Sequence, residues 1–278
     1  MKYLVLLLCA ICLFFSCPAD KKKEAPRSST ALPNVTVVDQ VFTIPGLDRE
    51  RQIRVYVPPG YETSGKSYPV LYMHDGQNLF DDSTSFVGEW HVDEIMNRLA
   101  EDQVLELIVV GVDNGQGKRM NEMSPWVNEE YGAAEGEAYI DFIVEVVKPY
   151  VDGNYRTKSD RLNTGLLGSS MGGLISHYAV YQHPEVFGKA GIFSPSYWFS
   201  EEVFEFAEAK PVPEDTKLFL LVGEKESATM ARDARQMVKR ILATGHPSVN
   251  LNVIIDPEGT HNEGFWQGYL REAVIWLY

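Results

Sequence analysis

The chain has 278 residues, 45% of them hydrophobic and 23% charged, with a formal net charge of -14 and an isoelectric point of about 4.9. That apolar content is enough for a sizeable core, in one large α/β domain or two small ones. The acidic balance sets aside nucleic acid and anionic lipid as the main partner and leaves a neutral small molecule or a glycan open.

Lys2 is followed by an apolar run from Tyr3 to Phe15. The run is too short for an ordinary bilayer span and fits the apolar region of a secretory signal. It ends in Leu13-Phe14-Phe15-Ser16-Cys17, which resembles a bacterial lipobox. The resemblance implies a signal peptide over residues 1–16, cleavage before Cys17 and lipidation of that cysteine. The product would be an exported, membrane-anchored lipoprotein, with plain secretion as the alternative. All three cysteines, Cys9, Cys12 and Cys17, lie in this stretch, so the remainder has no disulfide and no cysteine metal ligand. Residues 17–34 are polar and aperiodic, as in a flexible tether. A single catalytic domain is expected over residues 35–278.

Within that domain, residues 35–44 and 52–57 are β-rich runs around Pro45-Gly46, a hairpin signature. Further strands are expected over residues 69–73, 105–112, 163–167, 189–193, 217–222 and 250–255. Helical patterns fall at 92–101, 135–151, 174–182, 228–243 and 263–277. The alternation predicts an α/β fold with a mostly parallel central sheet of about eight strands and helices on both faces. The hairpin would add an antiparallel N-terminal edge.

Gly168-Ser169-Ser170-Met171-Gly172 fits the Gly-x-Ser-x-Gly elbow, with Ser170 at its centre, between a strand and a helix. A serine hydroxyl is a poor nucleophile near neutral pH and needs a base within hydrogen-bond reach. Of six histidines, His261 alone follows a strand in the right context, between the last strand and the last helix. His74, His91, His177, His183 and His246 are read as structural or surface residues. The base needs a carboxylate to fix its tautomer, and the expected chain order is serine, acid, histidine. Glu226, in the turn after Gly223, is the first choice and Glu224 the second, with Asp256 and Glu258 in reserve. The oxyanion requires backbone donors. One is expected at Met171 and the other at Gln77, with Gly76 as its alternative. Asp75-Gly76-Gln77-Asn78 lacks the full ligand spacing of a calcium loop, so neither a metal nor another cofactor is implied.

Taken together, these segments resemble an esterase family of α/β-hydrolases that includes esterase D-like enzymes, feruloyl and acetyl-xylan esterases, siderophore esterases and mycolyltransferases. The resemblance rests on Tyr72-Met73-His74-Asp75-Gly76-Gln77-Asn78-Leu79-Phe80, Arg119, Glu122 and Pro125, and Tyr155-Arg156-Thr157. It continues through the elbow, Phe193-Ser194-Pro195-Ser196 and Glu258-Gly259-Thr260-His261-Asn262-Glu263. It implies an α/β-hydrolase fold, a nucleophile at Ser170 and a base at His261. The expected reaction is hydrolysis of a small-molecule or glycan-linked ester. Acyl transfer on the same fold and non-catalytic binding of a glycan or siderophore are the alternatives. Asp75, Asn78, Arg119 and Glu122, with Trp90, Trp126, Trp198 and Trp266, are the expected substrate-binding residues, the tryptophans because aromatic faces stack on sugar or phenolic rings.

Overall fold

Residues 218–222 are apolar at every position, and such runs form strands covered on both faces. The computed structural model describes residues 27–278. Its first elements are four short strands, β1 (Val35–Val37), β2 (Phe42–Ile44), β3 (Arg49–Arg51) and β4 (Ile53–Tyr56). A one-turn helix α1 (Tyr61–Ser64) leads to β5 (Val70–His74), α2 (Val92–Glu101) and β6 (Ile108–Val112). Then come α3 (Arg119–Glu122), α4 (Gly136–Phe142), α5 (Lys148–Asn154), β7 (Thr164–Ser169), α6 (Met171–Gln182) and β8 (Lys189–Phe193). The chain continues through α7 (Glu202–Ala209), β9 (Lys217–Gly223), α8 (Met230–Ala243), β10 (Leu251–Asp256) and α9 (Glu263–Leu277). The expected signal peptide and Cys17 lie outside the described residues. No described helix is long and apolar enough to cross a membrane.

Eight strands form one sheet in the order β1-β4-β6-β5-β7-β8-β9-β10. β1 and β4 run antiparallel at one edge, β4 is antiparallel to β6, and the remaining pairs are parallel. Side chains alternate between two cores, as the period of a strand requires. Val70, Tyr72, Leu218 and Leu220 share a cluster with residues of α4, α6 and α8. Leu71, Met73, Phe219 and Leu221 share the other with α2 and α9. The sheet and its two layers follow the expected architecture.

The N-terminal region differs in detail. Residues 35–44 do not form one hairpin arm. They split, so that β1 pairs with β4 in the main sheet while β2 and β3 form a separate two-stranded ribbon. The turn between β2 and β3 holds Gly46 at φ 79° and Asp48 at φ 49°. The ribbon buries Phe42 and Ile44, and Phe42 meets Tyr150 edge-on with ring centroids 4.9 Å apart. The helix expected over residues 135–151 is α4 and α5 joined by a π-turn at Ile143–Val147, which keeps Ile143 and Val147 both buried. An unexpected helix, α7, buries Val203, Phe204 and Ala207.

The expected tether also departs from expectation in its described part. Residues 27–34 lie along the domain. The Thr30 hydroxyl donates to Glu89 at 2.6 Å, the Ser29 hydroxyl to Asp81 at 2.7 Å, and the Leu32 N–H to Asp93 at 2.8 Å. Polar residues without periodicity find carboxylate acceptors here on the loop before α2 and in its first turn, something composition does not reveal.

Strand β5 is flanked by β6 on one side and β7 on the other. The order of the parallel strands reverses there, and ligand sites in open α/β sheets form at the carboxyl ends beside such a reversal.

Candidate active site

Ser170 sits between β7 and α6 at φ 60° and ψ -120°, a conformation L-residues rarely adopt. The surroundings enforce it. Its N–H donates to the Phe193 carbonyl at 2.9 Å, and its carbonyl accepts from the Ser196 N–H at 3.1 Å. Gly168 permits the tight approach: a Cβ there would lie 2.7 Å from the Gly172 backbone and 2.8 Å from the His74 ring. The Ser170 hydroxyl is 3.2 Å from the Ser196 hydroxyl.

Glu226 follows β9 and turns back toward the sheet. Its side chain is fully buried and its Oε2 meets Nδ1 of His261 at 2.9 Å. Its other oxygen accepts from the Ser194 hydroxyl at 2.5 Å and from the Gly223 N–H at 2.7 Å. Ser194 is itself held by the Trp266 indole N–H at 2.8 Å. Trp266 also meets the His261 ring edge-on, with centroids 4.8 Å apart. The carboxylate is thereby fixed on both oxygens, and the imidazole on one nitrogen and one face. The other carboxylates weighed from sequence point elsewhere. Glu224 pairs with Arg235 and Glu258 with Lys225, both in solvent, while Asp256 accepts from the Tyr269 hydroxyl at 2.7 Å.

Ser170 and His261 line one cavity of about 870 Å³ at the carboxyl ends of β5 and β7. Its polar wall is a buried ion pair. Arg119 donates to both oxygens of Asp75 at 2.6 and 2.8 Å, and the Asn114 amide adds a third bond at 2.5 Å. Burial alone would raise the Asp75 carboxyl, but the Arg119 charge and these bonds hold it below its ordinary value. Burial raises Glu263, also on the cavity wall, above the usual carboxylate range. His74, beneath the elbow, is lowered to about 4 by burial and bonds the Tyr139 hydroxyl at 2.9 Å.

A family model described as "Putative esterase" matches residues 44–277. The chain belongs to this esterase family. Membership brings the reaction class with it: the protein is a carboxylic ester hydrolase. The esterase is 24% identical over 242 residues to the protein YbbA of Bacillus subtilis, a match covering 82% of this chain and 92% of that one. It is 28% identical over 177 residues to an endo-1,4-beta-xylanase/feruloyl esterase of Xylanibacter ruminicola, covering 62% of this chain and 22% of that one. The solved structure of the BES protein from Bacillus cereus aligns with a TM-score of 0.72 at 21% identity, covering 91% of this chain and 98% of that one. At that identity the likeness concerns the fold, which is that of the α/β-hydrolases.

Of the residues expected to bind substrate, the esterase's cavity is lined by Asp75, Asn78, Trp90, Arg119 and Trp266, and Gln77 also borders it. Three others lie elsewhere. Glu122 is buried between Arg49 and Arg51 in an interior ion network. Trp126 packs edge-on against Tyr178 and Phe206 in the core. Trp198 is half exposed and packs against Tyr131 and Phe199, away from the cavity lining. Glu122 and Trp126 are claimed by packing, because an arginine pair and an aromatic cage lie closer to them than the cavity does. Sequence reasoning missed Phe86, which lines the cavity rim and is 87% exposed. The signal was there: an apolar pair, Phe86-Val87, inside a Ser/Thr/Gly turn. It also assigned no role to Ser194 and Ser196, which brace the carboxylate and the elbow.

Proposed function

We propose that the esterase works through Ser170 as nucleophile, His261 as base and Glu226 as the acid that orients it. The observation that carries this reading is the 2.9 Å bond between His261 and a fully buried Glu226, with His261 opening into the same cavity as Ser170. Glu226 accepts a hydrogen bond from Nδ1–H, which holds the tautomer whose free Nε2 takes the Ser170 proton as Oγ attacks the ester carbonyl carbon. The N–H groups of Met171 and Gln77 receive the oxyanion. Met171 opens α6, where amide N–H groups have no intrahelical acceptor. Collapse of the tetrahedral intermediate breaks the bond to the alcohol, which leaves with the proton from His261. Water, deprotonated by His261, then attacks the acyl-enzyme and frees the acid and Ser170.

The substrate that fits this reading is an ester with an aromatic or sugar-bearing part. Trp90, Trp266 and Phe86 offer aromatic surface, and Asn78, Asn114 and Arg119 offer polar groups on the same cavity. The feruloyl esterase named among the relatives supports a phenolic acyl group. Export and attachment through a lipid on Cys17 belong to the same proposal, supported by the apolar run that precedes that residue. Mass analysis of the mature N terminus tests it.

A fluorophosphonate label followed by peptide mapping, with turnover of an ester panel, tests the chemistry. The label is expected on Ser170, and Ser170→Ala should lower turnover by at least about a thousandfold in a folded protein. Full turnover by folded Ser170→Ala would overturn the assignment, and a label on Ser169 would move it.

A further inference from the structure

The end of the loop from β5 and the first turn of α2 carry a second cluster of chemistry-bearing side chains, outside the cavity lining. Glu89, His91 and Glu94 each offer one ligand atom, and these atoms lie within 4.8 Å of one another. Nδ1 of His91 is 3.6 Å from Oε2 of Glu89 and 3.5 Å from Oε1 of Glu94. A dication bound at about 2.0–2.2 Å from each donor in tetrahedral geometry holds neighbouring donors about 3.3–3.6 Å apart, close to the two spacings from His91.

Two further features point to a bound cation. The Glu89 side chain is only 1% exposed; its Oε2, the oxygen nearer His91, accepts from Thr30, while its Oε1 has no hydrogen-bond partner, and neither has the outer oxygen of Glu94, Oε2, nor Oδ1 of the adjacent Asp93. A buried carboxylate oxygen without a partner is costly, and such an atom in a native fold calls for a ligand. Among the described residues, no lysine or arginine forms an ion pair with Glu89, Asp93 or Glu94. The backbone is committed as well. His91 is held at φ 52°, where glycine would sit without cost.

We propose that Glu89, His91 and Glu94 form a binding site for a divalent transition cation of the zinc class. An imidazole joined to carboxylates favours zinc over calcium or magnesium, and three protein ligands leave one position for water. Glu89 and His91 flank Trp90, which lines the cavity and stacks on Phe193 and Trp266 with centroids 6.2 and 5.9 Å apart. The cation would fasten the backbone on both sides of that tryptophan. Thr30 donates to the same Glu89, so it would also fasten the N-terminal segment to the loop. The site shares no ligand with the proposed Ser170 chemistry, and its test reads metal uptake rather than ester turnover.

Titration calorimetry of ZnCl2 into the whole metal-free protein is the experiment, with anomalous scattering at the zinc edge from crystals grown with zinc. One equivalent should bind, and calcium should not displace it. His91→Gly suits the left-handed backbone and so should stay folded; it should weaken zinc binding by about a hundredfold, with Glu89→Gln weakening it at least tenfold. Should Glu89→Gln fail to fold, His91→Gly decides alone. No saturable uptake by the wild-type protein would overturn the proposal. So would unchanged affinity in His91→Gly, or an anomalous peak elsewhere.

Discussion

Ser170 is held in a backbone conformation that costs on the order of 1–3 kcal/mol, and the bonds to Phe193 and Ser196 fix it there. Which carboxylate serves His261 in the proposed triad is the residue-scale question. Glu226 faces His261 and Glu224 faces Arg235. Glu226→Gln should therefore lower turnover at least about a hundredfold, whereas Glu224→Gln should stay within about threefold of wild type. Reversed results would transfer the role to Glu224. Ser194 permits a finer test. Its hydroxyl links the Trp266 indole to Glu226, and a hydrogen bond to a charged group contributes about 1.5–3 kcal/mol. Ser194→Ala should cost about tenfold or more in kcat with little change in KM, because it touches the carboxylate and not the substrate. An unchanged kcat would mean that Gly223 and His261 suffice to hold Glu226.

At the scale of elements, strand β7 and helix α6 meet at the elbow without a connecting loop. The sequence pattern places the start of that helix at Leu174. The helix in fact begins at Met171, since only a direct strand-to-helix turn leaves Ser170 at the apex. The glycines serve approach rather than flexibility: a Cβ on Gly173 would lie 2.6 Å from the Phe193 carbonyl. Gly168→Ala would drive a methyl group against Gly172 and His74. We expect a loss of about 1–3 kcal/mol in denaturant-midpoint measurements, as for an overpacked core, together with a drop in turnover. Wild-type stability in Gly168→Ala would show that the two elements can separate.

For the molecule as a whole, two buried histidines set a limit on acid stability. Burial lowers His74 to about 4 and His177 to about 3, from an ordinary value of 6.5. Above pH 6.5 both are neutral in the folded and unfolded chain, and their contribution is fully present. As pH falls below 6.5 the unfolded chain takes up protons that the fold refuses, so stability is lost progressively down to the folded values. By about pH 4.5 each histidine costs on the order of 2–3 kcal/mol. Thermal melts across this range should therefore fall less steeply for His177→Gln than for wild type; equal slopes would contradict the account. The sequence by itself determined the parallel sheet and its two helical layers, because strands buried on both faces must be apolar throughout and helices must show a stripe. It also singled out Ser170 and His261 as candidates, because a strand-to-helix elbow and a post-strand histidine are local patterns. Only the tertiary structure decided that Glu226 rather than Glu224 meets His261, that Glu122 and Trp126 belong to the interior, and that residues 27–34 lie on the domain. These outcomes depend on contacts between segments distant along the chain, where neighbouring residues of equal chemistry are separated by the direction in which the backbone turns them.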